Sequence, residues 1–583
     1  MSSFESKFGA ADRSQWLALV TAALKNVPAD QLCRRDEDGL EINALYDIQP
    51  DAMDAIAASA SRLPMDPAAY LAYGWDICQP VTATARPQHV NRLILDELEN
   101  GAGSIWLHDI PDDLAQALPE MMQGIMLKAA GIYLDAGNGV MAHMAAFSAF
   151  CKTQDTALSA LRFGANIDPF GPAMDPCLLE RGVAYFNTAS PEDRPAGLFR
   201  PNGWHWHNRG MTTVQELAYL LASLTQILRR GAAAGLDLAD LARHVSVTIA
   251  LPADLSDGIA KCRALRQCWA GITQTIGLDP AAQRLFIHGF VSLRMFSVLD
   301  CEVNMLRTTT ALLGGAIGGA DQISAHPHDC LSADIGEYDG INNGSAEGRR
   351  LAQMQQHLMI EESGLSHSFD PAGGAGFIEG RSASLAAAAW GLFQEIEADG
   401  GAALFAADAG FARFAQNSAM KRFARMAAGD LALVGVNIQP DSRPVAPVAA
   451  KWAHLRRPAA AVEVIRVKGR DIAPRILTLQ VATIPDPRRD KLRAMLAVGG
   501  IQCVHMSLDD TDAVSIAAAR PDVVILIDCS FDMLNLDVAS SLLRLQAAGK
   551  IYLADQLING ATPLDDLASF VGLSLDCYRK GDA

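Results

Sequence analysis

The chain has 583 residues, which is enough for two to four domains. Hydrophobic residues make up 50% and charged residues 20%, a composition typical of globular proteins in water. The net charge of −18 at pH 7 argues against nucleic acid as a partner, because phosphate binding requires a basic face.

The cysteines and the first ten residues indicate the cellular compartment of the protein. The 11 cysteines are scattered and form no Cys-x-x-Cys pair, which is typical of reduced thiols and favours a cytoplasmic protein. The opening MSSFESKFGA lacks the basic and apolar regions of a signal peptide. No run approaches the roughly 20 apolar residues of a membrane span, so we expect no membrane association.

The first two predicted units are a helical arm over 1–64 and a barrel over 65–440. In the arm, SQWLALVTAALKN has apolar residues at helical spacing, and the polar turn RRDEDGL follows. In the second unit, strand-like runs such as GSIWLHDI, VSVTIAL and RLFIHGF alternate with Ala-rich amphipathic helices. Repeated βα units over this length predict a (β/α)8 TIM barrel.

The remaining units are a linker over 441–474 and an α/β domain over 475–583. The linker is rich in proline and arginine, which predicts a segment wrapped on the surface. The last unit contains the strand-like runs RILTLQVA, PDVVILID and KIYLADQL, with helices between them. We therefore expect a flavodoxin-like doubly wound sheet.

The most unusual local cluster is Trp204-His205-Trp206-His207. Two histidines two positions apart suit a metal, but no matching acidic or cysteine set stands nearby. A structural histidine packed between tryptophans and a catalytic histidine both stay open at this point.

Three other segments hold chemically capable residues. The run His326 to Cys330 mixes metal-ligand types at a spacing that matches no standard site, which favours a polar loop. The adjacent carboxylates Glu361 and Glu362 favour a solvated loop over a proton-sharing pair. The glycines of LGGAIGGAD lack the dinucleotide fingerprint and predict a tight turn or close backbone packing.

A series of segments, in order along the chain, resembles the methylmalonyl-CoA mutase family. They include DGLEINALY, NGWHWHNRG, QELAYLLASLTQILRRGAAAGL, LDCEVNMLRTT, GGADQISAH, MIEESG and DPAGGAGFIEG. The resemblance implies a (β/α)8 barrel and a C-terminal α/β domain with adenosylcobalamin between them. It also implies an acyl-CoA arm threaded along the barrel axis and a radical isomerisation whose chemistry belongs to the cofactor.

The resemblance implies roles for three residues of this chain. His205 falls on the family's active-site histidine, which contacts the substrate carbonyl. Gln322 falls on a glutamine near the corrin, and Glu362 falls on a glutamate that holds the cofactor's ribose.

Two motifs of the family are altered here. The family's Trp-Thr-Ile-Arg-Gln-Tyr becomes the run from Trp75 to Pro80, so Cys78 and Pro80 replace its arginine and its tyrosine. The family's cobalamin loop Asp-Gly-His-Asp-Arg-Gly becomes the run from Ile484 to Arg489, with Asp486 in place of the cobalt-ligating histidine. The last domain is therefore predicted to be a degenerate cobalamin-binding domain, with no cofactor and no metal on this chain.

These losses favour the small, non-catalytic subunit of a heterodimeric mutase. It would stabilise a large catalytic subunit that binds adenosylcobalamin and the acyl-CoA substrate, and His205 would have lost its role. One alternative is an active acyl-CoA-binding subunit whose cobalamin another chain supplies; another is a non-enzymatic scaffold or regulatory protein. Whether large side chains close the barrel bore depends on strand register, which the sequence leaves open.

Overall fold

The apolar runs predicted as strands form an eight-stranded parallel sheet. The computed structural model describes residues 13–25, 28–46, 64–84, 86–333, 344–440, 443, 446–472, 476–480, 496–498, 501, 503–507, 523–527 and 551–553. The strands are β1 (Asp76–Thr82), β2 (Ser104–His108), β3 (Gly131–Asp135), β4 (Phe163–Ile167), β5 (Gly197–Phe199), β6 (Ser246–Leu251), β7 (Phe286–Val291) and β8 (Gln322–Ser324).

The sheet closes into a barrel. β8 pairs with both β7 and β1, and parallel bridges from Phe199 to Val245 and from Asn202 to Thr248 join the β5 and β6 sides. The predicted (β/α)8 barrel is therefore confirmed.

One helix follows each strand and packs outside the barrel. These helices are Pro87–Glu99, Leu114–Met121, Val140–Thr153, Leu178–Thr188, Thr213–Ala233, Leu255–Thr275, Val303–Ile317 and Ala346–His357. Further helices are Arg13–Ala23, Pro67–Tyr73, Gly203–Asn208, Leu238–Arg243, Gly376–Ala398, Gly401–Ala407, Gly410–Ala428 and Ala459–Ile472. Within the ranges given above, no helix has the length and apolar character to cross a membrane.

The long Thr213–Ala233 helix begins at a capping box. The Thr212 side chain accepts a hydrogen bond from the Gln215 backbone N–H at 3.3 Å, and Gln215 Oε1 accepts from the Thr212 backbone N–H at 3.1 Å. Two backbone donors that the helix leaves free at its start are thereby satisfied.

Glycines bring two outer helices into close contact. A Cβ atom added at Gly258 would lie 3.1 Å from the Gly314 Cα atom, so the Leu255–Thr275 and Val303–Ile317 helices approach through their backbones. Gly319, just after the second helix, has a φ of 75°, a conformation that glycine adopts without strain. Both uses predicted for the LGGAIGGAD glycines are confirmed.

The N-terminal arm contains one helix, Arg13–Ala23, and a two-stranded ribbon of Arg34–Arg35 and Glu41–Ile42. The ribbon's turn holds consecutive acidic residues that bind the barrel. Glu37 Oε2 lies 2.6 Å from Arg422 Nη2, and Asp36 Oδ2 lies 2.5 Å from Arg381 Nη2. The arm is therefore fixed at this turn, and its predicted boundary at residue 64 stays a prediction.

Part of the predicted linker lies across the carboxyl end of the barrel strands. We call residues 446–458 the strap. Val448 forms an antiparallel bridge with Ser332, and Trp452 Nε1 donates a hydrogen bond to the Cys330 carbonyl at 2.8 Å. The segment continues as the Ala459–Ile472 helix, where the Glu463 carboxylate accepts from the Ser297 hydroxyl at 3.0 Å. The segment is thus packed against the barrel through buried side chains.

The C-terminal strands form a second, four-stranded parallel sheet. They are β9 (Ile476–Gln480), β10 (Cys503–Ser507), β11 (Val523–Ile527) and β12 (Ile551–Leu553), in the spatial order β10-β9-β11-β12. This order is that of a flavodoxin-like doubly wound sheet, as predicted. β10 is not among the strands predicted from the sequence. The altered loop from Ile484 to Arg489 lies outside the described residues.

Candidate functional site

A cavity of about 400 Å³ opens at the carboxyl end of the barrel strands. Its wall residues lie at or just after strand ends, and they include His108, Asp135, Asp168, Asn202, Phe290 and His326. The strap contributes Lys451, Trp452 and His454 as a roof. This end of a (β/α)8 barrel is where ligand sites are built, so the cavity is the candidate site.

His205 faces this cavity from the short Gly203–Asn208 helix. Asn202 caps that helix by accepting a hydrogen bond from the His205 backbone N–H at 3.4 Å. The His205 Nε2 atom lies 3.3 Å from Asp135 Oδ2, and the two side chains are 26% and 24% exposed. Burial acts to raise the pKa of Asp135, but the charge and hydrogen bond of His205, together with His108 and Trp106, outweigh burial and hold that pKa below its usual value. The pair has the geometry to accept or deliver a proton, while a catalytic role for His205 stays a prediction.

His207 of the same cluster is buried in an ionic network. Its Nδ1 atom lies 2.9 Å from Glu216 Oε2, and Lys261 Nζ donates to the same oxygen at 2.5 Å. Burial lowers the pKa of His207 to about 3, so the imidazole is neutral near pH 7. The structural interpretation of the cluster therefore fits His207, whereas His205 faces the cavity.

Asp168 forms part of the cavity wall next to His205. Its Oδ1 atom accepts a hydrogen bond from the Tyr219 hydroxyl at 2.6 Å, and its Oδ2 atom accepts from the Asn202 backbone N–H at 3.2 Å. Burial raises the pKa of Asp168 to about 6, although the bond from Tyr219 opposes the rise. Nearby Asn166, inside β4, has a φ of 58°, a left-handed conformation that asparagine tolerates, where the pairing of β4 with β5 shifts in register.

Arg200 closes the barrel bore below the cavity. This side chain follows β5 and is 2% exposed. Its Nε atom donates to Ser246 Oγ at 2.8 Å, and its Nη1 atom donates to Gln322 Oε1 at 3.2 Å. Its Cζ atom lies 4.7 Å from the Tyr133 ring centroid and 5.3 Å from that of Phe286. These partners come from β3, β6, β7 and β8, so the guanidinium spans the interior.

His288 adds a second layer to the closure. It has no exposed surface; its Nε2 atom lies 2.8 Å from Ser324 Oγ, and its Nδ1 atom lies 3.2 Å from Thr248 Oγ1. Its ring centroid lies 4.9 Å from that of Trp106. Burial, aided by the charge of Arg200, lowers the pKa of His288 well below its usual value, so the ring is neutral. Large side chains therefore fill the bore, which answers the question that strand register left open.

The altered barrel motif lies in the same packed interior. Cys78 and Pro80 are buried residues of β1, and the Cys78 carbonyl accepts a hydrogen bond from Ser324 Oγ at 2.5 Å. Burial raises the pKa of the Cys78 thiol, so it stays protonated. Neither side chain can supply the guanidinium group of the family's arginine or the phenol group of its tyrosine.

The structure does not bring the three predicted site residues together. Gln322 begins β8 and is fully buried, where its Nε2 atom donates to Asp76 Oδ2 at 2.8 Å and its Oε1 atom accepts from Arg200. Glu362 is exposed at the end of the π-helical turn Leu358–Glu362. Only His205 lines the cavity, and the cofactor-binding roles of the other two stay predictions.

Several residues of the site were not predicted from the sequence. Asp135, Asp168 and His108 stand at or just after strand-like apolar runs, and that position would have marked them as lying at the carboxyl end of the barrel. Trp452 of the strap carried no such signal. In the part of the chain that the structure describes, no group of three His, Cys, Asp or Glu side chains is arranged to hold a metal ion.

The comparisons with known proteins agree with this architecture. The family model described as methylmalonyl-CoA mutase matches residues 113–466. The chain belongs to the methylmalonyl-CoA mutase family. This family comprises isomerases, and the matched range covers most of the barrel, the strap and part of the helix that follows it.

The similar relatives include small subunits of this enzyme. The probable methylmalonyl-CoA mutase small subunit of Mycobacterium tuberculosis (strain ATCC 25618 / H37Rv) is 30% identical over 560 residues, which cover 92% of this chain and 89% of the relative. The small subunit of Streptomyces virginiae is 30% identical over 594 residues, covering 95% and 93%. The methylmalonyl-CoA mutase of Cereibacter sphaeroides is also 30% identical, but over 237 residues that cover 40% of this chain and 32% of the relative.

Proposed function

We propose that this chain is the non-catalytic small subunit of an adenosylcobalamin-dependent methylmalonyl-CoA mutase in the cytoplasm. It stabilises a large catalytic subunit, which binds the cofactor and converts methylmalonyl-CoA to succinyl-CoA. The observation that carries this proposal is the closed bore. Arg200 fills the interior with partners from four strands, so an acyl-CoA arm has no path along the barrel axis.

The cavity at the carboxyl end of the barrel strands also does not fit adenosylcobalamin. The cavity is about 400 Å³, and the strap roofs it with the Trp452 ring centroid 5.3 Å from that of His326. A corrin ring that carries an adenosyl group requires a wider opening than this. The altered motif from Ile484 to Arg489 contains no histidine, which supports the same conclusion from the sequence. We therefore assign the cofactor to the partner subunit.

Co-expression with the large-subunit candidate from the same genome tests this proposal. We expect a 1:1 complex that carries about one cobalamin per pair, while the chain purified alone carries none. The complex should turn over methylmalonyl-CoA, and the chain alone with added adenosylcobalamin should not. Turnover by the isolated chain at low concentration would contradict the proposal.

A second candidate function rests on the His205–Asp135 pair, which faces an accessible cavity. In this candidate the chain is an active acyl-CoA-binding subunit whose cobalamin another chain supplies. The change His205→Ala separates the two candidates in the reconstituted complex. Activity equal to that of the wild type supports the non-catalytic subunit, whereas loss of activity with an intact complex supports the second candidate.

A further inference from the structure

Arg209 is a half-buried cation in the wall of the cavity that contains His205. It directly follows the Gly203–Asn208 helix, and its Nη1 atom donates a hydrogen bond to the His205 carbonyl at 3.3 Å. Within the described part of the chain, no carboxylate forms an ion pair with it. Burial, aided by the charge of Arg456, lowers the pKa of Arg209. A guanidinium has five N–H donors, so most of those on Arg209 are available to an anion in the cavity.

The strap brings further basic residues to the roof of this cavity. The Arg456 backbone N–H donates a hydrogen bond to the Asn208 carbonyl at 2.8 Å, which holds the strap beside Arg209. Lys451 and His454 line the cavity. Burial, together with the charges of Arg209, His205 and Arg456, lowers the pKa of His454 to about 4, so its imidazole is neutral near pH 7. The roof therefore carries positive charge from arginine and lysine.

The wall below the roof carries carboxylates at the ends of three neighbouring strands. They belong to Asp109, Asp135 and Asp168, at or just after the ends of β2, β3 and β4. Each already has a side-chain partner: His108 for Asp109, His205 for Asp135 and Tyr219 for Asp168. A carboxylate accepts more than one hydrogen bond, so these groups can still accept from a hydroxyl group of a ligand. A second negative charge on the ligand would be repelled at this wall.

We propose that this cavity binds a small hydroxy monocarboxylate, with its carboxylate at Arg209 and its hydroxyl group donating to Asp135 or Asp168. An arginine fork matches the geometry of a carboxylate, and such charge-assisted hydrogen bonds are among the strong ones in proteins. The cavity of about 400 Å³ lies within the usual size range of small-molecule sites, and Trp204 and Trp452 offer apolar surface to the body of the ligand. The proposal goes beyond the proposed function, because this ligand requires neither the large subunit nor the cofactor.

Three matched anions test the ligand class by calorimetric titration of the full chain. Lactate has one carboxylate and one hydroxyl group, propionate lacks the hydroxyl group, and tartronate has a second carboxylate in place of the methyl group of lactate. We expect lactate to bind most tightly. Propionate should bind about fivefold more weakly, because it cannot donate to the wall. Tartronate should bind about tenfold more weakly, because its second charge meets the carboxylates.

Two matched variants test the position of the carboxylate. Arg209→Gln removes the proposed partner and should raise the Kd for lactate about tenfold. Arg162→Gln is the control, because Arg162 is an exposed arginine at the amino ends of the strands, and its Kd should change less than about twofold. Arg209→Lys keeps the charge but not the fork, so it should raise the Kd by only about threefold. In the wild type, lactate should slow amide exchange over the strap, which roofs the cavity.

Several outcomes would overturn the proposal. If lactate does not bind the full chain, or if tartronate binds more tightly than lactate, the ligand class is wrong. If Arg209→Gln and the wild type have the same Kd for lactate, the carboxylate does not lie at Arg209. If Arg209→Gln does not fold, amide exchange in the wild type decides: slower exchange over 446–458 with lactate supports the proposal, and unchanged exchange contradicts it. None of these results bears on the proposed function, because all are measured without the large subunit.

Discussion

Arg200 donates a hydrogen bond from Nε to Ser246 Oγ across 2.8 Å inside the barrel. The two residues belong to neighbouring sides of the closed sheet, at the place where the parallel bridges join β5 to β6. The contact therefore both fills the bore and links the strands that complete the barrel.

Removal of the Arg200 side chain should destabilise the barrel strongly. Arg200→Ala leaves a void and removes the hydrogen bonds that Arg200 donates to Ser246 Oγ and Gln322 Oε1. We therefore expect a loss of about 3 kcal/mol in the free energy of unfolding. Arg181→Ala is the control, because Arg181 pairs with Asp175 at 2.5 Å while 45% exposed. We expect that change to cost less than about 1 kcal/mol. Equal urea midpoints for the two variants would show that Arg200 does not hold the interior together.

The buried network around Glu216 should be sensitive to the loss of its charge. Glu216 and Lys261 have no exposed side-chain surface, so Glu216→Gln leaves the ammonium buried beside an uncharged group. We expect a loss of about 3–5 kcal/mol, measured by urea unfolding. Glu180→Gln breaks the exposed pair with Arg230 at 2.6 Å and should cost less than about 1 kcal/mol. A loss for Glu216→Gln no greater than that of the control would contradict the prediction.

Asp168 should give the protein a specific pH dependence. Its pKa is raised by burial from 3.8 to about 6, so the folded chain holds the proton more tightly than the unfolded chain. The stability that this proton contributes is fully present below pH 3.8 and is lost as the pH rises through 6. The asparagine in Asp168→Asn cannot ionise, so this variant does not lose that stability. The Tm of the variant minus the Tm of the wild type should therefore increase as the pH is raised from 4 to 7.

The matched control for this pH profile is Asp113→Asn. Asp113 is exposed, and its side chain makes no capping hydrogen bond to the helix that it precedes. The Tm difference from the wild type should rise more for Asp168→Asn than for this control over the same pH range. If the Asp168→Asn difference stays constant, the folded and unfolded states bind the Asp168 proton equally well.

The strap should respond differently to two changes at Trp452. Trp452→Phe retains most of the buried ring but loses the hydrogen bond to the Cys330 carbonyl, so we expect a cost of about 1 kcal/mol. Trp452→Ala also empties the space beside His326 and should cost about 3–5 kcal/mol. Amide exchange over 446–458 should become faster in the alanine variant. Identical exchange in both variants would indicate that the ring does not hold the strap.

The sequence predicted the barrel well because its signals are local. VSVTIAL and RLFIHGF correspond to β6 and β7, and the long helices follow their apolar periodicity. β10 was missed because Cys503–Ser507 mixes polar with apolar residues. The closed bore depended on strand register, since a shift of one residue exchanges inward and outward side chains. The His205–Asp135 pair joins residues far apart in the chain, so no local sequence pattern could identify it.

The filled bore also separates the two ends of the barrel. A groove of about 490 Å³ lies at the amino ends of the strands, lined by residues that include Tyr73, Asp76 and Arg162. A solute in this groove has no route through the protein to the cavity that contains His205, because Arg200 and His288 lie between them. Each end therefore exchanges molecules only with the solution on its own side, and a ligand that saturates one end leaves access to the other unchanged.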